Sequence, residues 1–216
     1  LASREPHTVN TLRLTVLPAR DTTPAITRLR LLSPARAMTP MKRYEIAASR
    51  ANRELFPASL HGQQVYWTVV GVPAAQQKTI FDEWGNVEAF KSAPLVQPLW
   101  RDASGHAAAA PAAQLKHGLR EGWMPMPSVE WAPRPGLSLR TEVIAVDQAG
   151  APVTLVRYRL HNSGSTRIEG SLSLVVRPMQ MNPPWQNGGP SPIRTVGIDG
   201  SATQAEVRVN GRVLLA

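Results

Sequence analysis

The chain has 216 residues and carries 24 Lys and Arg against 15 Asp and Glu, so its formal net charge is +9. It contains no Cys, which excludes a disulfide framework, a thiolate nucleophile and a cysteine-ligated zinc. No run approaches the roughly 20 apolar residues that span a bilayer, so we expect no membrane partner. Only four of the cations are Lys, and the Arg residues are scattered rather than gathered into a basic run. The charge therefore predicts no nucleic-acid partner.

Two short β-patterns open the chain. Residues 9–17 alternate apolar and polar side chains, and residues 26–32 repeat the alternation, with Pro18, Pro24 and Pro34 between and after them. Alternation with period two is typical of strands that bury one face. We therefore predict two antiparallel strands within residues 1–35.

A helix is predicted over residues 40–54. Thr39 and Pro40 have the side chains of an N-cap and a first helical position. The apolar residues that follow are spaced 3, 4, 3 and 4 apart, which places them on one helical face: Met41, Tyr44, Ala48, Ala51 and Leu55. Pro57 ends the pattern.

The middle of the chain returns to β-patterns. Residues 64–70 are dense in β-branched and aromatic side chains, which predicts a strand. Residues 78–83 and 87–90 flank Trp84-Gly85-Asn86 as in a hairpin, and the Ala-rich stretch 106–114 predicts an exposed loop.

The last third has the clearest strand signals. Residues 137–143, 156–160 and 168–176 alternate apolar and polar side chains with turn residues between them, which predicts a three-strand meander. Asn210-Gly211 suits a type I′ turn between two final strands. The second of these strands coincides with the end of the chain, so we expect a segment of a longer protein. The fold class that follows is mostly β, an antiparallel β-sandwich with one short helix near 40–54.

No catalytic or metal site is predicted. The five His residues are separate along the chain, and none has another ligand type at i+2 or i+4, so we expect no metal and no cofactor. Acid/base chemistry needs two carboxylates facing one bond, and the candidates are Asp82, Glu83, Glu88 and Glu130. Adjacent Asp82 and Glu83 point to opposite faces of a strand, and an ordinary solvated hairpin explains them better than catalysis does.

The six Trp residues are more informative, because most lie beside Pro, Gly, Gln or Asn. Flat aromatic faces next to side-chain amides suit sugar rings, whereas core packing is the alternative role. We predict that Trp67, inside a β-pattern, lies in the core. For Trp185 the two roles are equally supported, because the Pro- and Gly-rich segment 181–190 must be a shaped loop.

Five segments of the chain form an ordered set of motifs: 63–72 (QQVYWTVVGV), 82–88 (DEWGNVE), 122–131 (GWMPMPSVEW), 156–162 (VRYRLHN) and 177–186 (RPMQMNPPWQ). They resemble, in the same order, motifs of large bacterial proteins related to six-hairpin glycosidases, and the resemblance covers about residues 36–216. In these proteins a discoidin-like, galactose-binding-type domain precedes a β-supersandwich and a helical (α/α) toroid.

The resemblance implies a carbohydrate-active context. Residues 36–216 would be a supersandwich-like domain truncated at its C-terminal end, and residues 1–35 the tail of a preceding galactose-binding-like domain. The general acid and base would lie on the downstream toroid, so this segment would be a non-catalytic accessory domain, and whether the parent protein is an enzyme stays open. The implied location is periplasmic or secreted. Its partners would be other domains of the same polypeptide and a glycan, with Trp185, Gln186, Asn182 and Trp123 as the carbohydrate-binding candidates. Two alternatives are an autonomous carbohydrate-binding module and a purely structural or interaction domain.

Overall fold

A computed structural model describes residues 37–52, 55–73, 75–110, 115–201 and 203–216, together with a few isolated positions before them. In this part of the chain the fold is mostly β, with antiparallel sheets and a single α-helix. The predicted fold class is therefore confirmed. The strands predicted at 9–17 and 26–32 lie outside the described residues, apart from isolated positions.

Two sheets form the body of the molecule. Sheet 1 has the order β1-β2-β3-β4-β10, and β5 also pairs with β4. Its strands are β1 (Trp67–Val70), β2 (Thr79–Asp82), β3 (Val87–Glu88), β4 (Leu95–Asp102), β5 (Ala107–Ala108) and β10 (Gly170–Arg177). Sheet 2 is a meander of β6 (Lys116–Arg120), β7 (Met124–Arg134), β8 (Leu137–Gln148) and β9 (Ala151–Asn162).

A smaller third sheet follows them along the chain. It contains β11 (Val196–Gly200), β12 (Ala205–Val209) and β13 (Arg212–Leu215). Asn210 and Gly211 join the last two strands with φ values of 51° and 80°, as the predicted type I′ turn requires. The hairpin prediction is confirmed at this turn and at β2–β3.

The hydrophobic core lies between sheets 1 and 2, as in a β-sandwich. One cluster joins Val87 and Val96 of sheet 1 to Val129 and Val143 of sheet 2, and it also includes residues of the third sheet. A second cluster packs Trp100 of sheet 1 against three side chains of sheet 2, which are Trp131, Leu137 and Leu139. Alternate residues of each strand fill these clusters, so their chain neighbours point to the outer faces.

Part of the outer face of sheet 1 is covered by the loop after β10, whose Met181 packs with Leu95. The helix packs beside this loop through Met179. The α-helix α1 spans Pro40–Ser49, with the Thr39 side chain accepting a hydrogen bond from Lys42 N as the predicted N-cap. It is shorter than the predicted 40–54, because the backbone closes at Arg50 and Ala51 with tighter i→i+3 bonds. Met41 and Ala48 of the helix pack with Leu60, which lies in the 3₁₀ helix Ala58–His61, and with Met179 in the loop after β10.

Two local predictions are wrong in their detail. The segment 168–176 does not continue the meander, because β10 leaves sheet 2 and pairs with β4 along its whole length, from Gly170↔Asp102 to Arg177↔Leu95. The Ala-rich stretch after His106 is not all loop, since Ala107–Ala108 pair with β4, while 111–114 lie outside the described residues. No helix in the described part of the chain is long and apolar enough to cross a membrane.

Candidate functional site

The loop between β10 and β11 holds three of the four predicted carbohydrate-binding residues. A short 3₁₀ helix at Pro184–Gln186 follows Pro183 and ends at Asn187, whose φ of 62° is left-handed. Gly188 N donates to Pro183 O at 3.1 Å and closes the turn. Two proline rings and this closure restrict the backbone, so the loop presents its side chains in a defined arrangement.

Gln186 fastens this loop to the outer edge of sheet 1. Its Oε1 accepts from Val65 N at 2.9 Å, and its Nε2 donates to Val65 O at 3.0 Å. The backbone N–H of Tyr66 donates to the Glu83 carboxylate and its carbonyl accepts from Glu83 N, so both polar groups of Tyr66 face β2. Because these directions alternate along an extended chain, the N–H and C=O of Val65 point to the opposite, open edge. The carboxamide of Gln186 thus occupies the position of a neighbouring strand's peptide group.

A buried carboxylate supports the loop from below. Glu88 Oε2 accepts from Met181 N and its Oε1 from Ser92 N, both at 2.8 Å. Burial raises the pKa of Glu88, although both hydrogen bonds oppose the shift. Val65, Leu95 and Met181 form the apolar layer beside it. The loop is therefore held at both ends, by Glu88 before Trp185 and by Gln186 after it.

Two exposed Trp residues lie close in sequence to the Gln186–Val65 contact. Trp185 is 55% exposed and Trp67 is 43% exposed, whereas Trp100 and Trp131 are fully in the core. Trp67 lies two residues after Val65, so both point to the outer face of sheet 1, and Tyr66 is exposed on the other face. The prediction that Trp67 is a core residue is wrong, because β1 is an edge strand and nothing in the described chain covers it there.

Next to Trp67 lies a buried turn built on Asp82. Trp67 pairs with Asp82 across the strands, and Asp82 Oδ1 accepts from the backbone N of Trp84 and of Asn86. Its Oδ2 accepts from Asn86 Nδ2 at 2.8 Å. Burial raises the pKa of Asp82 to about 7, while the hydrogen bonds from Asn86 and Trp84 oppose the shift. All of these contacts serve the turn, so Asp82 has a structural role.

The remaining catalytic candidates do not form a pair either. Burial raises the pKa of Glu83, whose carboxylate accepts from Tyr66 N and whose carbonyl bonds His117 Nε2 at 2.8 Å. Glu130 lies on sheet 2, 4.0 Å from Arg140. Each carboxylate is thus occupied by its own surroundings. No group of three or more His, Asp or Glu within the described residues is placed to hold a metal ion.

The predicted residues differ in what they offer a ligand. Trp185 is free on the surface, but both amide atoms of Gln186 are taken by Val65, and Asn182 Oδ1 is buried without a partner among the described residues. Trp123 is 69% exposed, but it lies in the β6–β7 turn of sheet 2. The structure therefore joins three candidates in one loop and leaves Trp123 on a separate hairpin.

A polar cleft lies at the end of sheet 1 where β4 reaches Asp102. Its volume is about 380 Å³, and Asp102, Ser104, Arg134, Arg167 and Glu169 line it. Asp102 is engaged by the Ser104 turn, and Glu169 pairs with Arg167 at 3.0 Å. The cleft lies at the Asp102 end of β4, roughly 23 Å from Leu95 at the other end. It is therefore separate from the loop that carries Trp185.

No protein-family model, curated protein or solved structure matches the chain. The geometry of the described residues is thus the basis for a functional conclusion.

Sequence reasoning missed the two contacts that build the site. Val65 and Gln186 are 121 residues apart, and Glu88 and Met181 are 93 apart. The only available signal was indirect: an amide residue directly after a Trp in a Pro-rich loop. That signal favoured sugar binding for Gln186, whereas its amide holds the loop in place.

Proposed function

We propose that this chain is a non-catalytic β-sandwich accessory domain of a glycoside-hydrolase-like protein, which binds glycan through Trp67 and Trp185. These two residues are called the aromatic surface below. The motif resemblance to six-hairpin-glycosidase-like proteins supports the glycan class and a downstream helical toroid. The geometry supports the choice of residues, because Trp67 is exposed two residues after Val65 and Trp185 is exposed directly before Gln186, whose amide bonds Val65.

The observation that carries the proposal is the exposure of Trp185 on a loop held at both ends. Leaving a large aromatic side chain in water forgoes roughly 1.5–3 kcal/mol of burial free energy. Glu88 and Gln186 nevertheless fix the backbone on either side of Trp185 instead of letting it turn inward. A rigid, exposed aromatic face binds an apolar ring face with little loss of conformational entropy. The C–H face of a sugar ring is such a partner.

Replacing either Trp of the aromatic surface with Ala should weaken glycan binding by at least about tenfold, because the stacking face is removed. The measurement is affinity electrophoresis of the chain against a panel of neutral polysaccharides, followed by calorimetric titration with oligosaccharides of the best one. Thermal melting checks that Trp67→Ala and Trp185→Ala remain folded.

Trp123→Ala is the matched control, because Trp123 is also exposed but lies on the β6–β7 turn. Its affinity should equal that of the unchanged chain. If Trp123→Ala alone loses binding, the site belongs to sheet 2. If no polysaccharide binds the unchanged chain, the aromatic surface is not a glycan site.

An apolar surface on the third sheet supports packing against another domain of the same polypeptide. Val196 and Ile198 of β11 are 57% and 70% exposed. They share the face on which Val209 is buried, since Val196 pairs with Val209 and Ile198 with Val207. The buried face of this sheet thus extends beyond the core as an uncovered apolar edge, which is a mark of interaction surfaces.

An uncovered apolar surface also promotes association between copies of the chain, so Ile198→Lys should reduce self-association. The free energy of unfolding should stay within about 0.5 kcal/mol of its original value, because the Ile198 side chain is already in water. Analytical ultracentrifugation and urea denaturation measure the two quantities. A loss of stability of several kcal/mol would show instead that Ile198 is part of the core.

A further inference from the structure

The strand register of sheet 2 gathers cations that are far apart in the sequence. Lys116 of β6 pairs with Glu130 of β7, Glu130 with Arg140 of β8, and Arg140 with Arg159 of β9. Directly paired residues share a face, so these four side chains form one row across the sheet. Three strand spacings of about 4.8 Å make the row roughly 14 Å long.

This row lies on the outer face of sheet 2. Val129, Trp131 and Leu139 are buried in the clusters shared with sheet 1, so they point inward. Glu130 and Arg140 alternate with them along β7 and β8 and therefore point away from the core. Lys116 and Arg159 are exposed, in agreement with this assignment.

Two of the arginines on this face are held by a carboxylate. Glu142 forms ion pairs with Arg140, at 3.2 Å, and with Arg157, its partner across the strands. Burial pushes the pKa of Glu142 up, but the hydrogen bond and charge of Arg157 and the charge of Arg140 outweigh it, and the net shift is downward. Glu142 thus stays ionised and neutralises about one of these two cations.

Lys116 and Arg159 form no such ion pair with a carboxylate among the described residues. Neither makes a hydrogen bond or an ion pair among the described residues, and Arg159 acts on Glu142 only through space. Arg159 also stands directly opposite Arg140, and like charges at paired positions repel. Glu130, directly opposite Lys116 and 4.0 Å from Arg140, offsets a second cation. The face therefore keeps an excess of positive charge over Glu130 and Glu142, with Lys116 and Arg159 at the two ends of its central row.

We propose that this face, defined by Lys116, Arg140, Arg157 and Arg159 and called the basic face, binds an anionic polysaccharide carrying carboxylate or sulfate groups. The inference deepens the proposed glycan-binding function and rests on it for the polymer class. Guanidinium groups recognise both anions through paired N–H donors. The basic face lies on sheet 2, whereas the aromatic surface lies on sheet 1 and on the loop attached to it, so one chain would present separate sites for the charged and the apolar parts of a glycan.

The composition of the face favours a polysaccharide over nucleic acid. Sites for single-stranded nucleic acid combine cations with aromatic side chains on which bases stack. The outward positions paired across the four strands here include no Phe, Tyr or Trp among those described, and His161 opposite Ser138 is an imidazole on this face. Cations without a stacking side chain beside them favour a polymer that is bound through its anionic groups rather than through its bases.

The test compares two double variants that remove the same charge. Lys116→Gln with Arg159→Gln neutralises the free cations of the basic face. Lys91→Gln with Arg43→Gln removes two exposed cations outside sheet 2, one between β3 and β4 and one on α1. The probes are dextran sulfate, polygalacturonate, neutral dextran and an oligo(dT), each titrated at low and at physiological salt. We expect the first double variant to bind the anionic polysaccharides about three- to tenfold more weakly and the second to bind as the unchanged chain does.

Each outcome decides a separate question. Equal losses in both double variants would mean attraction by net charge alone and would overturn the site, as would preference for oligo(dT) over both anionic polysaccharides. Dextran sulfate and polygalacturonate together distinguish sulfate from carboxylate recognition. Binding of anionic polysaccharide that Trp185→Ala leaves unchanged would support the basic face even if the aromatic surface binds no neutral glycan.

Discussion

As the pH rises from about 4 to about 7, the free energy of unfolding is expected to fall by roughly 4 kcal/mol through Asp82 alone. In the folded chain burial raises the pKa of Asp82 to about 7, whereas the unfolded chain has the ordinary value of 3.8. Below pH 4 both states hold the proton. Between the two pKa values only the folded state holds it, so the stabilisation is lost as the pH rises through 7. Burial shifts the pKa of Glu83 and of Glu88 in the same direction.

Asp82→Asn should remove most of this slope, because the amide cannot ionise but keeps an oxygen for the N–H groups of Trp84 and Asn86. Urea denaturation at a series of pH values measures the effect. Asp147→Asn is the matched control, since Asp147 also bonds a backbone N–H in a turn, that of Gly150, but is exposed. Stability curves for Asp82→Asn and the unchanged chain that run parallel from pH 4 to pH 8 would contradict the prediction.

The second large effect is expected from Gly188→Ala. A Cβ at this position would lie 1.8 Å from the carbonyl oxygen of Asn182 and 2.4 Å from its carbon, both backbone atoms that cannot move aside. The loop must therefore open, which breaks the bond from Gly188 N to Pro183 O and pulls Gln186 away from Val65. We expect a loss of about 1–3 kcal/mol in the free energy of unfolding.

The same variant should lose glycan binding to the extent that Trp185→Ala does, because Trp185 no longer has a fixed position. Combining Gly188→Ala with Trp185→Ala should then cost no further affinity. Gly197→Ala is the control, since a Cβ there meets no atom within 4 Å. Full affinity in a folded Gly188→Ala chain would show that the loop conformation does not matter for binding.

Features encoded within a few residues were predictable from the sequence. The Asn210-Gly211 turn needs positive φ at two adjacent positions, and few residue pairs other than Asn-Gly supply it. Thr39 and Pro40 likewise start α1 where the pattern indicates. The strand alternation within residues 137–160 also specified β8 and β9, because each strand packs one face toward the hydrophobic clusters.

Features that depend on long-range pairing were not predictable. The pattern of β10 shows that it buries one face but not which sheet it joins, and β4 and β9 both offer an edge. The exposure of Trp67 depends on β1 being an edge strand of sheet 1. The basic face depends on the register of all four strands of sheet 2, which aligns Lys116 with Arg159 through Glu130 and Arg140. In the candidate site, the loop itself was predictable from its prolines, whereas the role of Gln186 required the position of Val65.

The pairing of β4 with β10 also has a consequence for how the chain acquires its structure. Eight residue pairs join strands that are separated by 67 residues of intervening chain, all of sheet 2 among them. During synthesis β4 therefore leaves the ribosome long before its partner, with one edge unpaired. Such edges attract other strands, and pairings of high sequence separation form slowly. Sheet 2, whose strands are consecutive, can form first, so the interval before β10 arrives is the stage at which the nascent chain is most exposed to aggregation.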